Sequence, residues 1–296
     1  MPDLTPNNAA DYLRRRGIVA TRITELADGV SNLVLRVETP GGPFILKQSR
    51  PQLRTREAWF SDVGRIWRER DAMRFLRPLL PDGVVPDVLF DDEANYLFAM
   101  AHAPEPLRNW RAVLLGGEID PALGERAGRI LAAIHHESAR HDLTPFEDRT
   151  VFEQLRVDPF YVRICERLPD IAKPVGELIE RCRCLRLGLC HGDFSPKNLL
   201  LHAAGFTLVD YETCHAGDAT FDLGSFASHL ILKSIQLPER EREFHELVRA
   251  FGRGYADVVA IAPGLMHLGA CLLARVDGTS PAPYLTDEAK RMRVRL

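Results

Sequence analysis

Short apolar runs broken by turn residues fill the first hundred positions of the chain, and longer patterns of helical period fill most of the rest. Runs at 23–26, 33–38 and 44–48 are rich in β-branched and apolar residues. The first two are separated by ADGVSN and the last two by TPGG, so the spacing predicts an antiparallel meander. From 54 to 80 the apolar positions Trp59, Val63, Ile66, Trp67, Met73, Phe75 and Leu76 predict a helix that Pro81 and Gly83 end. Runs at 84–90 and 96–100 predict two more strands.

Past Met100 the pattern changes. HAPEP is a connector without helix or strand signals, and helical periodicity follows at 109–115, 123–136, 152–168, 171–186, 223–233 and 240–259. Two strands stand out in this half, 198–202 and 206–209, joined by AAG. These elements predict an α+β chain of two lobes: residues 1–103, a β-sheet with one long helix, and residues 104–296, mainly helical, with the boundary near 101–106.

Composition narrows the class. With 296 residues, 46% hydrophobic and 27% charged, the chain buries a sizeable core. A net charge of −3 gives no overall basic field for nucleic acid. No apolar run approaches the ~18 residues of a membrane span, and the N-terminus lacks signal-peptide sections, which predicts a cytoplasmic protein without a membrane partner. The six cysteines include no C-x-x-C pair or zinc-like spacing, and disulfides are not expected.

The chemistry concentrates in CHGDFSPKNLLLHAAGFTLVDYE, residues 190–212. His191, Asp193 and Asn198 satisfy H-x-D-x-x-x-x-N, the arrangement of a kinase catalytic loop, in which the Asp accepts the proton of the attacking hydroxyl and the Asn binds a metal ion. Asp210 follows one hairpin later, where a second metal-binding Asp belongs. Singly each residue reads as chance or as a turn cap; loop, hairpin and acid together read as phosphoryl transfer. For a phosphate-binding cation the candidate is Lys47, at the end of the third strand, and for its helix partner Glu57 or Glu69. Glu57 near the helix start is explained by the helix dipole alone, so the register of ERDAMRFL favours Glu69. The ADGVSN loop offers Gly29, Ser31 and Asn32 as a phosphate cover, although an ordinary hairpin turn uses the same residues.

Taken together, HGDFSPKNLL, LVDYE and GDATFDLG resemble the aminoglycoside phosphotransferase and choline kinase superfamily, including methylthioribose kinase-like and homoserine kinase-like members, over residues 25–285. The resemblance implies a two-lobe protein-kinase-like fold, ATP and Mg²⁺ as cofactors, and transfer of the γ-phosphate to a hydroxyl of a small molecule. It implies Asp193 as catalytic base, Asn198 and Asp210 as magnesium ligands, and Lys47 with Glu69 as the phosphate-positioning pair. Met100, Ala101 and Ala103 would meet adenine through their backbone. His191 would support the catalytic loop, as would Asp222 from a helix start. Lys197 and Glu212 depart from the protein-kinase pattern, and their roles stay open between phosphate, metal, substrate and solvent. No A-P-E segment follows, which argues against a protein substrate.

Two alternatives remain, a catalytically silent nucleotide-binding protein of the same fold and an aminoglycoside-modifying kinase. The acceptor would lie between Asp193 and the C-terminal helices, where Asp218, His229, Lys233 or the segment ARVDGTSPAPYL reach it or serve as surface and caps. The many arginines of this half do not favour a polycationic drug over a neutral or anionic sugar-like alcohol.

Overall fold

A computed structural model describes residues 4–26, 32–52, 61–256 and 260–296. The first part holds helix α1 (Pro6–Arg15), strands β1 (Arg22–Glu25), β2 (Asn32–Glu38) and β3 (Phe44–Ser49), helix α2 (Arg65–Leu76), and strands β4 (Val88–Asp92) and β5 (Leu97–Ala101). The five strands form one antiparallel sheet in the order β1-β2-β3-β5-β4. Central β3 is buried on both faces. Because side chains alternate, Phe44 and Leu46 join the cluster of Leu33, Leu35 and α1, whereas Ile45 faces α2. Lys47 shares the face of Ile45, which is why a lysine in an apolar strand points towards α2.

Several elements differ from the expectation. Helix α1 was not predicted; Thr5 caps it, with the Asn8 side chain returning the bond, and Asn in place of Glu or Gln hid the capping box. Helix α2 begins at Arg65, after a turn in which the Asp62 carboxylate accepts from Gly64 N–H at 2.5 Å. Strand β4 begins at Val88 because 83–84 are engaged elsewhere: the Val84 carbonyl accepts from Leu208 N–H at 2.8 Å, and the Gly83 carbonyl from the Thr207 hydroxyl at 2.8 Å.

The remainder comprises β6 (Arg108–Asn109), α3 (Trp110–Leu115), α4 (Pro121–Ser138), and α5 (Thr150–Phe152), which runs through π-helical Glu153–Val162 into α6 (Arg163–Arg167). Then come α7 (Ala172–Cys184), β7 (Gly188–Cys190), β8 (Leu199–His202), β9 (Gly205–Leu208) and β10 (His215–Gly217). Helices α8 (Thr220–Gln236), α9 (Glu241–Tyr255), α10 (Ile261–Asp277) and α11 (Glu288–Arg295) complete the chain. Two strands were expected in this half and five are present among the described residues; β6, β7 and β10 are too short to show a period. Helix α10 was missed because Pro263, Gly264 and Gly269 read as breakers. Pro263 in fact occupies the first turn, where no intrahelical donor is needed, and Gly224 of α8 lets the α10 backbone pack closely, since a Cβ there would collide with Leu268 N and the Gly264 carbonyl. Helices α4 and α9 also meet backbone to backbone, since a Cβ on Gly128 would collide with the Phe251 carbonyl.

One buried apolar cluster runs from Ile45, Ile66 and Met73 through Leu199 and Phe206 to Phe226 and Phe251, so sheet and helices share a core. Among the described residues no helix is long and apolar enough to cross a membrane.

Candidate active site

The loop between β7 and β8 is fixed from below. Strands β7 and β10 pair with His215 opposite Cys190, so the chain leaves β7 beside Thr213. Gly192 has φ +75°, and a Cβ there would lie 2.8 Å from the Thr213 carbonyl oxygen, which excludes any other residue without a shift. Asp222, buried in the first turn of α8, accepts from His191 N–H at 2.6 Å and Gly192 N–H at 2.9 Å. Its carboxylate also lies 3.2 Å from His135 Nε2, and His135 Nδ1 is 2.9 Å from the Tyr255 hydroxyl. His191 is wholly buried, its Nδ1 accepts from Asp193 N–H at 3.2 Å, and burial above all pushes the imidazole below its ordinary pKa. It therefore holds the loop rather than facing the cleft.

Asp193 is reached from two sides. Asn198 Nδ2 donates to its Oδ2 at 2.8 Å and to its carbonyl at 2.9 Å. Arg156 Nη2 lies 2.9 Å from the same Oδ2, and Arg156 Nε donates to the Gly192 carbonyl at 2.9 Å. Sequence reasoning missed Arg156. It sits in the π-helical run 36 positions before Gly192, where an arginine looks like any surface helix residue.

Beside this loop, where Val209 N–H donates to the Asn198 carbonyl at 3.0 Å, Asp210 adopts a left-handed φ of +72°, a conformation that Asp tolerates better than most residues. Lys47 Nζ donates to Asp210 Oδ1 at 2.9 Å and to Glu69 Oε1 at 2.8 Å, and both Lys47 and Glu69 are buried. Lys197 Nζ is 3.8 Å from Asp210 Oδ2. Burial alone would raise the pKa of Asp210, but Lys47 and then Lys197 hold it well below the carboxylate range. Burial pushes Glu69 above that range against the pull of Lys47. Burial would likewise lower the pKa of Lys47, and Asp210 and Glu69 hold it above its ordinary value.

The two residues whose roles stayed open lie in different places. Lys197 borders the cleft, with its carbonyl accepting from Asn109 Nδ2 at 2.8 Å. Glu212 is buried and accepts from Asn32 Nδ2 at 2.8 Å and Arg65 Nε at 3.2 Å. Arg65 Nη2 also donates to Asn32 Oδ1 at 3.2 Å, so the Asn32 side chain is committed to this buried network. Gly29, Ser31 and Glu57 lie outside the described residues.

A cleft of about 470 Å³ separates the sheet from the β8–β9 hairpin, with Val34 and Ile45 on one side and Leu200 and Val209 on the other. Met100, Ala101 and Ala103 close its back and Lys47, Asn198 and Asp210 stand at its polar side. At this back wall the Ala101 N–H is spent on the Asp87 carbonyl at 2.8 Å. Because both bonds from Asn198 Nδ2 go to Asp193, its free amide face is Oδ1. That oxygen and the Asp210 carboxylate are hard donors of the kind Mg²⁺ takes, so the residues fit this ion. Glu69, Asp210 and Glu212 bring carboxylate oxygens within 4.8 Å of one another, with Lys47 and Arg65 between them.

Of the acceptor-side candidates, Asp218 is removed by the structure. It is buried two positions before α8, accepting from Thr220 N–H at 3.1 Å and the Thr220 hydroxyl at 2.6 Å, and pairs with Arg181 Nε at 2.9 Å. Lys233 is buried, and its ammonium donates to the His229 carbonyl at 3.0 Å and lies 5.3 Å from the Tyr284 ring centroid.

A model of the phosphotransferase enzyme family matches residues 22–261. Methylthioribose kinase of Bacillus cereus is 25% identical over 272 residues, covering 81% of this chain and 68% of that protein. Amicoumacin kinase hAmiN, solved with AMP-PNP, Ca²⁺ and Ami, superposes with a TM-score of 0.61 at 18% identity over 96% of this chain and 91% of its own. A fructosamine-3-kinase-like structure from Thermobifida fusca gives a TM-score of 0.58 at 19% identity, covering 97% and 98% of the two chains. At such identities the structural likeness carries the fold: the chain has the two-lobe, protein-kinase-like α+β fold.

Proposed function

Because this chain belongs to the phosphotransferase enzyme family, we propose that it moves the γ-phosphate of ATP to a hydroxyl of a small metabolite, a sugar-like or amino-alcohol acceptor. The observation that carries this reading is one cleft whose polar side is lined by Lys47, Asn198 and Asp210, with Glu69 bonded to Lys47 and Asp193 bonded to Asn198 just behind them. In the reaction the acceptor oxygen bonds to the γ-phosphorus, the bond from that phosphorus to the ADP oxygen breaks, and the hydroxyl proton passes to the Asp193 carboxylate. Asn198 and Arg156 both engage Asp193 Oδ2, which orients the carboxylate and leaves Oδ1 for the proton. Lys47, held by Glu69, supplies a fixed positive charge for the α- and β-phosphates without reorganising. Asn198 and Asp210 would hold Mg²⁺, which supplies charge neutralisation at the phosphates when bound. Lys197, beside Asp210, adds a second cation where charge develops. The apolar walls of Ile45 and Leu200 suit a purine ring, with the backbone of Ala101 and Ala103 at its edge.

The test is ADP release by the purified protein against a panel of sugars, amino alcohols, thiosugars and aminoglycosides, with Asp193→Asn alongside. Positioned proton acceptance is worth about 10²–10⁴-fold, so the variant should lose turnover by that factor while still binding ATP. Nucleotide binding with no turnover on any acceptor would favour the silent-scaffold alternative, and equal turnover by the variant would remove Asp193 from the base role.

A further inference from the structure

Around Arg156, the partner of Asp193, the helical part gathers cations that its own carboxylates do not match. Arg156 and Arg275 both lie 5.8 Å from the centroid of the Phe160 ring, so two guanidinium groups share one aromatic side chain. Arg275 Nη1 donates to the Ser280 carbonyl at 2.8 Å and to its hydroxyl at 3.3 Å, both neutral, and its Nε is buried with no hydrogen-bond partner. Lys233, 1% exposed, has a carbonyl and the Tyr284 ring as neighbours rather than a carboxylate. The Tyr284 hydroxyl is itself a buried donor with no partner. Arg111 is placed beside the catalytic loop by its N–H, which donates to the Pro196 carbonyl at 3.0 Å. Among the described residues the carboxylate ion-paired within this group is Asp193, with Arg156. None of the four cations borders the nucleotide cleft, so the phosphates of ATP do not account for them.

Their mutual repulsion lowers pKa values within the group. After burial, Arg275 and Arg111 are what lower the pKa of Lys233 to about 7. Burial and then Lys233 and Arg275 hold the His229 imidazole well below its ordinary value. Burying like charges together without counter-ions costs free energy, and such a cost is retained where a ligand supplies the missing charge.

We infer that the acceptor is a hydroxy compound bearing an anionic group, a carboxylate or a phosphomonoester, which Arg111 and Arg275 bind while Lys233 adds its charge from beneath. The inference rests on the kinase reading for the word acceptor, and the anion site rests on the cluster alone. An amine-rich acceptor is disfavoured by the same charges, since it would add a cation to an unbalanced group.

The discriminating experiment is calorimetric binding of ribose, ribonate, ribose 5-phosphate and an amino sugar to the whole protein, followed by ADP release with each in the presence of Mg²⁺ and ATP. One charged hydrogen-bonded contact is worth about 10- to 100-fold in affinity. Ribonate or ribose 5-phosphate should therefore bind at least about 10-fold more tightly than ribose, and whichever binds identifies the carboxylate or the phosphate as the source. Arg275→Gln and Arg111→Gln, each checked for an unchanged melting profile, should remove that preference and raise KM for the anionic compound more than they lower kcat. Equal binding of ribose or the amino sugar, or variants that weaken all compounds alike, would overturn the anion site. Anion preference without ADP release would leave the site standing and refute the kinase reading instead.

Discussion

Lys233→Met is the substitution in which the acceptor-side cluster declares its cost. Methionine keeps the length and the contact with Tyr284 while removing an ammonium whose neighbours are Arg275 and Arg111. In the folded protein the lysine pKa is lowered from the ordinary 10.5 to about 7, by burial first and by those two arginines next. The sign follows from proton counting. Between about pH 7 and 10.5 the unfolded chain binds a proton that the folded chain does not, so this residue makes stability rise with pH by ~1.4 kcal/mol per pH unit. Below about pH 7 the whole penalty is present, on the order of 4 kcal/mol. The neighbours do not titrate across this window: the arginines stay charged, His229 is held neutral, and burial pushes the Tyr284 phenol up to about 12. Lys233→Met should therefore be more stable than the parent at pH 7 by roughly 2–4 kcal/mol, with the gap closing towards pH 10. Urea unfolding of both proteins at pH 7, 8.5 and 10 measures it. A variant that is less stable at pH 7, or a gap that does not change with pH, would refute the reasoning.

Other perturbations address the nucleotide side and the loop. In a double-mutant cycle, Lys47→Met and Glu69→Gln should be markedly non-additive in kcat/KM, because each removes the same 2.8 Å contact; additive effects would separate the two residues functionally. Asp222→Asn should cost about 3 kcal/mol, since the amides of His191 and Gly192 lose a charged acceptor. Burial raises and His135 more than offsets the pKa of Asp222, which is lowered overall, so its stabilisation is present above about pH 4 and lost as pH falls. The stability difference between parent and Asp222→Asn should accordingly shrink in acid, read by urea unfolding from pH 5 to pH 3. Gly192→Ala should lower both melting temperature and turnover, because the new Cβ meets the Thr213 carbonyl at a positive φ; a variant with parental melting and turnover would show that the loop can shift.

Much of the architecture was legible because it depends on local order. Short β-branched and apolar runs at 33–38 and 44–48 bounded by turn residues define strands whatever surrounds them, and the period of a strand then puts Lys47 on the face of Ile45. The linear spacing of His191, Asp193 and Asn198 is a property of one loop, and Asp210 follows it across a single hairpin. Where an element's identity depended on packing, the sequence was silent: α10 carries Pro263, Gly264 and Gly269, which look like breaks until its backbone is seen packed on Gly224 of α8, and β7 and β10 exist because each pairs with the other. The same division runs through the site. Arg156 reaches Asp193 from a π-helical run, Arg65 closes on Glu212 across 147 positions, and Arg275, Lys233 and Arg111 meet around Tyr284 from three separate helices. Periodicity records which face of an element is apolar, and it does not record which charges from distant elements share that face. The sequence alone thus determined the residues and spacing of the loop between β7 and β8, and the tertiary fold decided the electrostatic company it keeps, because charge interactions depend on distance in space and on burial, and neither is a property of position along the chain.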